Sequence, residues 1–197
     1  MTQINKPAET AVAIQPLLSR RYSPYRFDPT RDVAQADLQA VFEAARWTMS
    51  SYNAQPWRYI VGVKSRSADV WQQIFDVLVE GNQGWAQYAP VLALGMTNSV
   101  FTHNGKHNKA ATHDLGAASA NLTFEATARG ISVHQMIGIE PEKATQIFTL
   151  PAEIVPLTAM AIGYAGDNPE LAAALADRDQ QARERMPASE FLMAGSL

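Results

Sequence analysis

The chain contains no cysteine. That absence removes thiolate nucleophiles, zinc–thiolate sites, cysteine-ligated iron–sulfur clusters and disulfides together. Any redox chemistry must then come from a cofactor. Long apolar runs are missing as well: the longest, around residues 157–162, falls far short of the about 20 residues that a spanning helix needs. No membrane partner is expected. Residues 1–7 lack a basic region followed by a long apolar one, so no secretion signal is expected and a cytoplasmic location is. A formal net charge of -3 supplies no basic field, which argues against nucleic acid as a partner.

Several motifs are also missing. No Gly-x-Ser-x-Gly elbow, P-loop or Gly-x-Gly-x-x-Gly turn after a strand is present, so hydrolase and Rossmann chemistry are not expected. His103, His107 and His113 lie close in sequence, but Asn104 and Gly105 disfavour a helix between the first two, and Asp114 is the only carboxylate nearby. No metal site is expected, and His103 and His107 read as exposed loop residues.

What is present suits one domain over residues 1–197. The length can bury a core without staples, and 47% hydrophobic against 18% charged residues is a globular composition. Helices are expected at residues 8–18, 36–47, 67–79, 115–129 and 141–148, with partial helix over 167–183. Apolar residues three and four apart, such as Leu38, Val41, Phe42 and Ala45, give the one-sided stripe of a packed helix. Ser67 is the expected N-cap of the third helix, residues 81–84 its stop, and Gly130 a left-handed cap. Strands are expected at 57–63, 91–96, 131–136 and 155–164. Residues 97–108 read as an irregular polar excursion of the kind that often borders a substrate. Helices alternating with few strands predict an α+β fold with a central mixed sheet.

Two stretches call for a chemical reason. Thr48, Ser50, Ser51, Asn53 and Gln55 crowd the turn before Pro56, which should hold Gln55 extended. They form either an ordinary polar loop or a set of donors and acceptors that converge on a planar polar ligand. Arg20, Arg21 and Arg26 surround Tyr22, Ser23 and Tyr25, giving either a solvated loop or an anion site.

Ala45-Arg46, Ser50-Ser51, Asn53, Gln55-Pro56-Trp57 and the strand after them resemble the FMN-binding signature of the nitroreductase family. The likeness extends through the Ala89-Pro90 step before an apolar strand to about residue 192. It implies an α+β intertwined homodimer with two flavins at the subunit interface, the tail at 183–197 packing on the partner. It also implies a ping-pong oxidoreductase that takes hydride from NADH or NADPH and reduces nitroaromatics, quinones or related acceptors. By the same resemblance Arg21, Tyr22, Ser23, Arg183 and Arg185 clasp the FMN phosphate and ring edge. Ser50, Ser51, Asn53 and Gln55 approach from the partner, and Asn82 faces the ring edge. Gln135, Met136, Ile137 and Gly138 run along the ring, offering backbone N–H to N5. No side chain is expected to act as acid or base. Tyr25 departs from the pattern, standing where many relatives have a basic residue, with Arg26 beside it. Two alternatives stay open: a flavin-dependent dehydrogenase or dehalogenase on the same scaffold, and a non-catalytic FMN-binding protein.

Overall fold

The computed structural model describes residues 6–195. Among them the elements run, in order, α1 (Pro16–Arg20), α2 (Gln35–Arg46), a 3-10 turn (Ser51–Asn53), β1 (Trp57–Val63), α3 (Ala68–Asp76), α4 (Glu80–Ala86), β2 (Val91–Asn98), α5 (Ala111–Ala128), β3 (Ser132–Met136), α6 (Pro141–Ile147), β4 (Ile154–Gly163), α7 (Ala173–Gln180) and α8 (Ala188–Phe191). This is an α+β fold built on one sheet of order β1-β2-β4-β3.

Side-chain alternation along the central strands divides the core in two. Leu92, Leu94 and Met96 of β2 and Ala159 and Ala161 of β4 face a cluster with Trp71, Ile74, Leu78 and Trp85 of the α3–α4 region. Val91, Ala93, Met160 and Ile162 face the other way, onto Leu38, Val41 and Ala45 of α2 and Leu115, Leu122 and Ala126 of α5. Helices thus cover both faces, which is why every residue of β2 is buried and why the strand reads as a continuous apolar run.

The sheet is antiparallel throughout, not mixed as expected. Alternation of helix and strand suggests parallel crossovers, but α3 and α4 leave and rejoin the same end of the sheet, where Val63 pairs with Val91. β4 then inserts between β2 and β3, so these two co-directional strands never meet.

Local expectations fail where one residue outweighs a pattern. The helix expected at 8–18 shrinks to α1, because Pro16 cannot sit inside a helix and takes the N-terminal position instead. Val12 and Ile14 are left exposed. Gly81 and Gly84 stop no helix; they lie within α4, after α3 has ended and Leu78 has bridged to Ile139. Ser67 stands at the N-cap of α3 without capping it, since its hydroxyl accepts the Val63 N–H at 2.8 Å. The excursion at 97–108 is tighter than expected. Thr97 and Asn98 belong to β2, Val100 bridges to His107, and Asn108 is buried. Gly130, at φ 72°, closes α5 as expected. Within the tail, Ala188–Phe191 forms the single turn of α8. Among the described residues no helix is long and apolar enough to cross a membrane, and no group of three or more His, Asp or Glu could hold a metal.

Candidate functional site

Chain folding brings the two basic stretches together. Arg21 follows α1 and donates from Nη1 to Ser23 Oγ at 3.3 Å. Arg183 follows α7 and donates from Nη1 to the carbonyls of Lys6 and Ser19. Arg21 holds its proton less tightly than usual, because burial and then the charges of Arg183 and Arg185 disfavour it. Arg183 is shifted the same way by burial and by Arg185. Three guanidiniums therefore repel one another here. Arg21 and Ser23 open onto a cavity of about 330 Å³, with Ala120, Thr123 and Phe124 of α5 and Val133 and Gln135 of β3 as its other walls. No carboxylate is among these lining residues. Gln135 is braced by donating from Nε2 to Ser119 O at 3.1 Å and Thr123 Oγ1 at 2.9 Å. Positive charge without a facing acid suits an anion.

Behind this wall Tyr22 buries a hydroxyl that has no hydrogen-bond partner. Its phenol is pushed up to about 12 by burial and, secondarily, by Asp179. Tyr25 turns its ring edge-on to Trp85 and His134. His134 stacks on Trp85 at 4.2 Å. Its Nδ1 lies 2.8 Å from Pro24 O and must donate, since a carbonyl only accepts.

Burial depresses the His134 pKa below 6.5, outweighing the Pro24 hydrogen bond. The fold therefore favours the neutral ring, and the stability this confers is present above pH 6.5 and lost as pH falls through the folded value. Thermal unfolding followed between pH 7 and 5 should show a falling midpoint, and His134→Gln should flatten that fall. Parallel curves for the two proteins would show that His134 does not titrate with unfolding.

A second group forms where β3 exits. Met136 points into the core and Ile137 is 71% exposed, while the Gly138 carbonyl accepts from Asn82 Nδ2 at 2.9 Å and from Val79 N at 3.1 Å. A Cβ on Gly138 would lie 2.5 Å from Asn82 Nδ2 and 2.8 Å from Val79 Cγ2. Close approach, rather than a turn, requires this glycine.

The polar turn forms a third group. Tyr52, Asn53 and Gln55 all have left-handed φ, at 52°, 53° and 47°. Gln55 is therefore not the extended residue that Pro56 predicts. Such backbone costs on the order of 1–3 kcal/mol per residue and needs anchoring. Ser50 Oγ accepts the Gln55 N–H, Gln55 Nε2 donates to Asn53 O, and the buried Asp114 accepts the Ser51 N–H, each at 3.0 Å. The turn holds Met49 and Tyr52 out in solvent.

The structure thus brings Arg21, Ser23 and Gln135 to one cavity, sets Arg183 and Arg185 near enough to act on Arg21, places Asn82 with Gly138 and gathers Ser50, Ser51, Asn53 and Gln55 in a separate turn. Ser51 meets Asp114, nine residues and about 14 Å of helix rise from Thr123 of the cavity, while Thr48 at the start of the turn accepts from Asn121 Nδ2 at 2.8 Å. Among the described residues no hydrogen bond or ion pair joins the turn to the arginines. Thr123, Phe124, Asp114 and Asp179 contribute without having been singled out. Nothing in sequence separates the two aspartates from surface acids.

Comparisons fit this arrangement. Residues 18–164 match the model of the Nitroreductase family. A solved structure of an oxidoreductase containing FMN superposes with a TM-score of 0.85 at 30% identity, covering 96% of this chain and 94% of that one. The uncharacterized 15.4 kDa protein in the ask 5' region of Mycolicibacterium smegmatis is 31% identical over 146 residues, 70% of this chain and 95% of that protein. The major NAD(P)H-flavin oxidoreductase of Aliivibrio fischeri is 46% identical over a shorter stretch of 44 residues, 22% of this chain and 20% of that protein.

Proposed function

This chain belongs to the nitroreductase family, and from that premise we propose that it is a cytoplasmic, FMN-dependent oxidoreductase using NADH or NADPH to reduce nitroaromatic, quinone or related small acceptors by a ping-pong mechanism. Bound FMN would supply the electron chemistry, accepting hydride from the nicotinamide and passing it to the acceptor. The residues present fit that group. The observation that carries the reading is Arg21, which the charges of Arg183 and Arg185 crowd and which opens with Ser23 onto a cavity with no carboxylate in its wall. Repulsion of this kind is relieved by a bound phosphate.

Around that anchor the other residues take the roles of positioning and retention, which is where catalysis without a side-chain acid or base has to lie. Arg21, Ser23 and Arg185 hold the phosphate, while Arg183 fastens the N-terminal segment beside it through Lys6 and Ser19 and Tyr22 packs behind. Gln135, Met136, Ile137 and Gly138 form the ledge along the ring, with Asn82 fixing its far end. Ser50, Ser51, Asn53 and Gln55 gather in a turn anchored at the start of α5 by Asp114, and in this reading they serve the flavin of the other subunit. A second copy supplies them, so the working unit is a homodimer. The exposed Val12, Ile14, Phe191, Leu192 and Met193 support this, because apolar side chains at both ends of the described chain are left for a partner to cover.

Purified protein should sediment as a dimer and show the two visible bands of oxidised flavin, which bleach on anaerobic addition of NADPH or NADH. A colourless monomer that ignores added FMN would refute the reading. Bound flavin that neither nicotinamide reduces would leave a binding protein or a different dehydrogenase.

A further inference from the structure

The backbone that carries Arg21 and Ser23 has little regular structure of its own. Between α1 and α2 the only ladder contact among the described residues is the single bridge Phe27↔Ala165, so the N–H groups of Tyr25 and Arg26 need partners from elsewhere. One carboxylate supplies both. Asp179, 3% exposed, accepts the Tyr25 N–H at 3.0 Å on Oδ1 and 3.1 Å on Oδ2, and the Arg26 N–H at 2.8 Å on Oδ2. It does so from the far end of the chain, on α7, beyond the part that matches the family model.

We infer that Asp179 is a positioning residue for the anion site: by fixing the backbone of Tyr25 and Arg26 it sets where Arg21 and Ser23 present their donors. This rests on the reading of that site as the cofactor phosphate site. Independent contacts converge on the same joint. The Arg178 guanidinium lies 4.7 Å over the Tyr25 ring, and the Asp179 carbonyl accepts from Lys6 Nζ at 2.8 Å. Lys6 in turn offers its own carbonyl to Arg183. Leu171 and Leu175 pack against the core, so the carboxylate is held by a docked segment. Asp179 also bears electrostatically on Tyr22 and His134, and it lines a neighbouring groove with Lys6 and Arg183. Asp179 is absent from the lining of the cavity that Arg21 and Ser23 open onto.

The test uses full-length apoprotein, with FMN binding read by fluorescence quenching and amide protection by hydrogen exchange. Asp179→Ala should weaken FMN binding by about 10- to 100-fold, the range set by losing a charged hydrogen bond, and should deprotect the Tyr25 and Arg26 amides. Asp179→Asn keeps one acceptor oxygen and should recover part of both; if the alanine variant does not fold, this isosteric variant carries the test with the same signs. Wild-type affinity in either folded variant overturns the inference, as does equal loss in both with the two amides still protected. If wild-type apoprotein itself takes up no FMN, the cofactor reading fails. The exchange measurement still decides the anchor, because unchanged protection in Asp179→Ala overturns it.

Discussion

Gly62→Ala should lower the thermal midpoint of the apoprotein by about 6–12 °C, the shift for a loss near 3 kcal/mol in a chain of this size. An ideal Cβ at position 62 would lie 2.4 Å from both Cα and N of Trp71 and 2.9 Å from the carbonyl carbon of Val70. All three are backbone atoms, so no side-chain rotation makes room. Gly62 pairs with Leu92 in β1, and the start of α3 lies directly on it. Relief therefore requires the helix to lift, carrying the buried Trp71 and Ile74 with it and stretching the bond from Trp71 Nε1 to Ala89 O, now 3.1 Å. Overpacking of this sort typically costs about 1–3 kcal/mol, and the rigid contact places Gly62 at the upper end. A scanning calorimetry midpoint within a degree of wild type would mean that α3 does not sit on β1 as described.

Position 62 also shows what sequence reading misses. A glycine in an otherwise good strand pattern marks close approach of another backbone, but neither period nor composition says which one. Strand positions were legible because β2 and β4 are buried on both faces and their apolar runs are unambiguous. Strand order was not. The placement of β4 between β2 and β3 depends on pairings far apart in the chain, and alternating helices wrongly suggested a mixed sheet. Local errors came from residues with two uses. Pro16 began a helix that the apolar pattern placed earlier, and Gly81 and Gly84 entered a helix that they were expected to end.

The candidate site was legible for the same reason that it was legible as chemistry: arginine, serine and amide side chains outside any apolar stripe need a polar partner. Arg21 and Ser23 stand out that way as candidates, and likeness to a family suggests Arg183 and Arg185. What the local sequence does not show is the support beneath the arginine stretch and beneath the polar turn. Asp114 and Asp179 act through backbone N–H groups of residues more than fifty positions away. A carboxylate that satisfies distant main chain has the same local sequence as one in water. Arg183 adds a further difference: its guanidinium donates to the carbonyls of Lys6 and Ser19, so it is part of the scaffold beside the cavity.

Arg21→Ala is expected to weaken FMN binding by about 10- to 100-fold through lost charged hydrogen bonds, while leaving the apoprotein no less stable than before. The two signs oppose each other because Arg21 stands against Arg183 and Arg185 without an acid beside it. Removing it relieves repulsion in the empty site and removes attraction in the filled one, the usual tension between stability and function. Fluorescence titration and apoprotein melting measure the two separately, and a fall in both would make Arg21 structural. If each site joins Arg21 of one chain to the Ser50–Gln55 turn of another, the defect should also be complementable. Refolding Arg21→Ala together with a Ser51→Ala, Asn53→Ala double variant, each flavin-poor alone, forms heterodimers in which one site carries both defects and the other carries neither. Random pairing in a two-fold dimer then restores tight binding to about one quarter of all sites. No recovery from the mixture, with heterodimers verified by mass, would place the turn and the arginines in different sites.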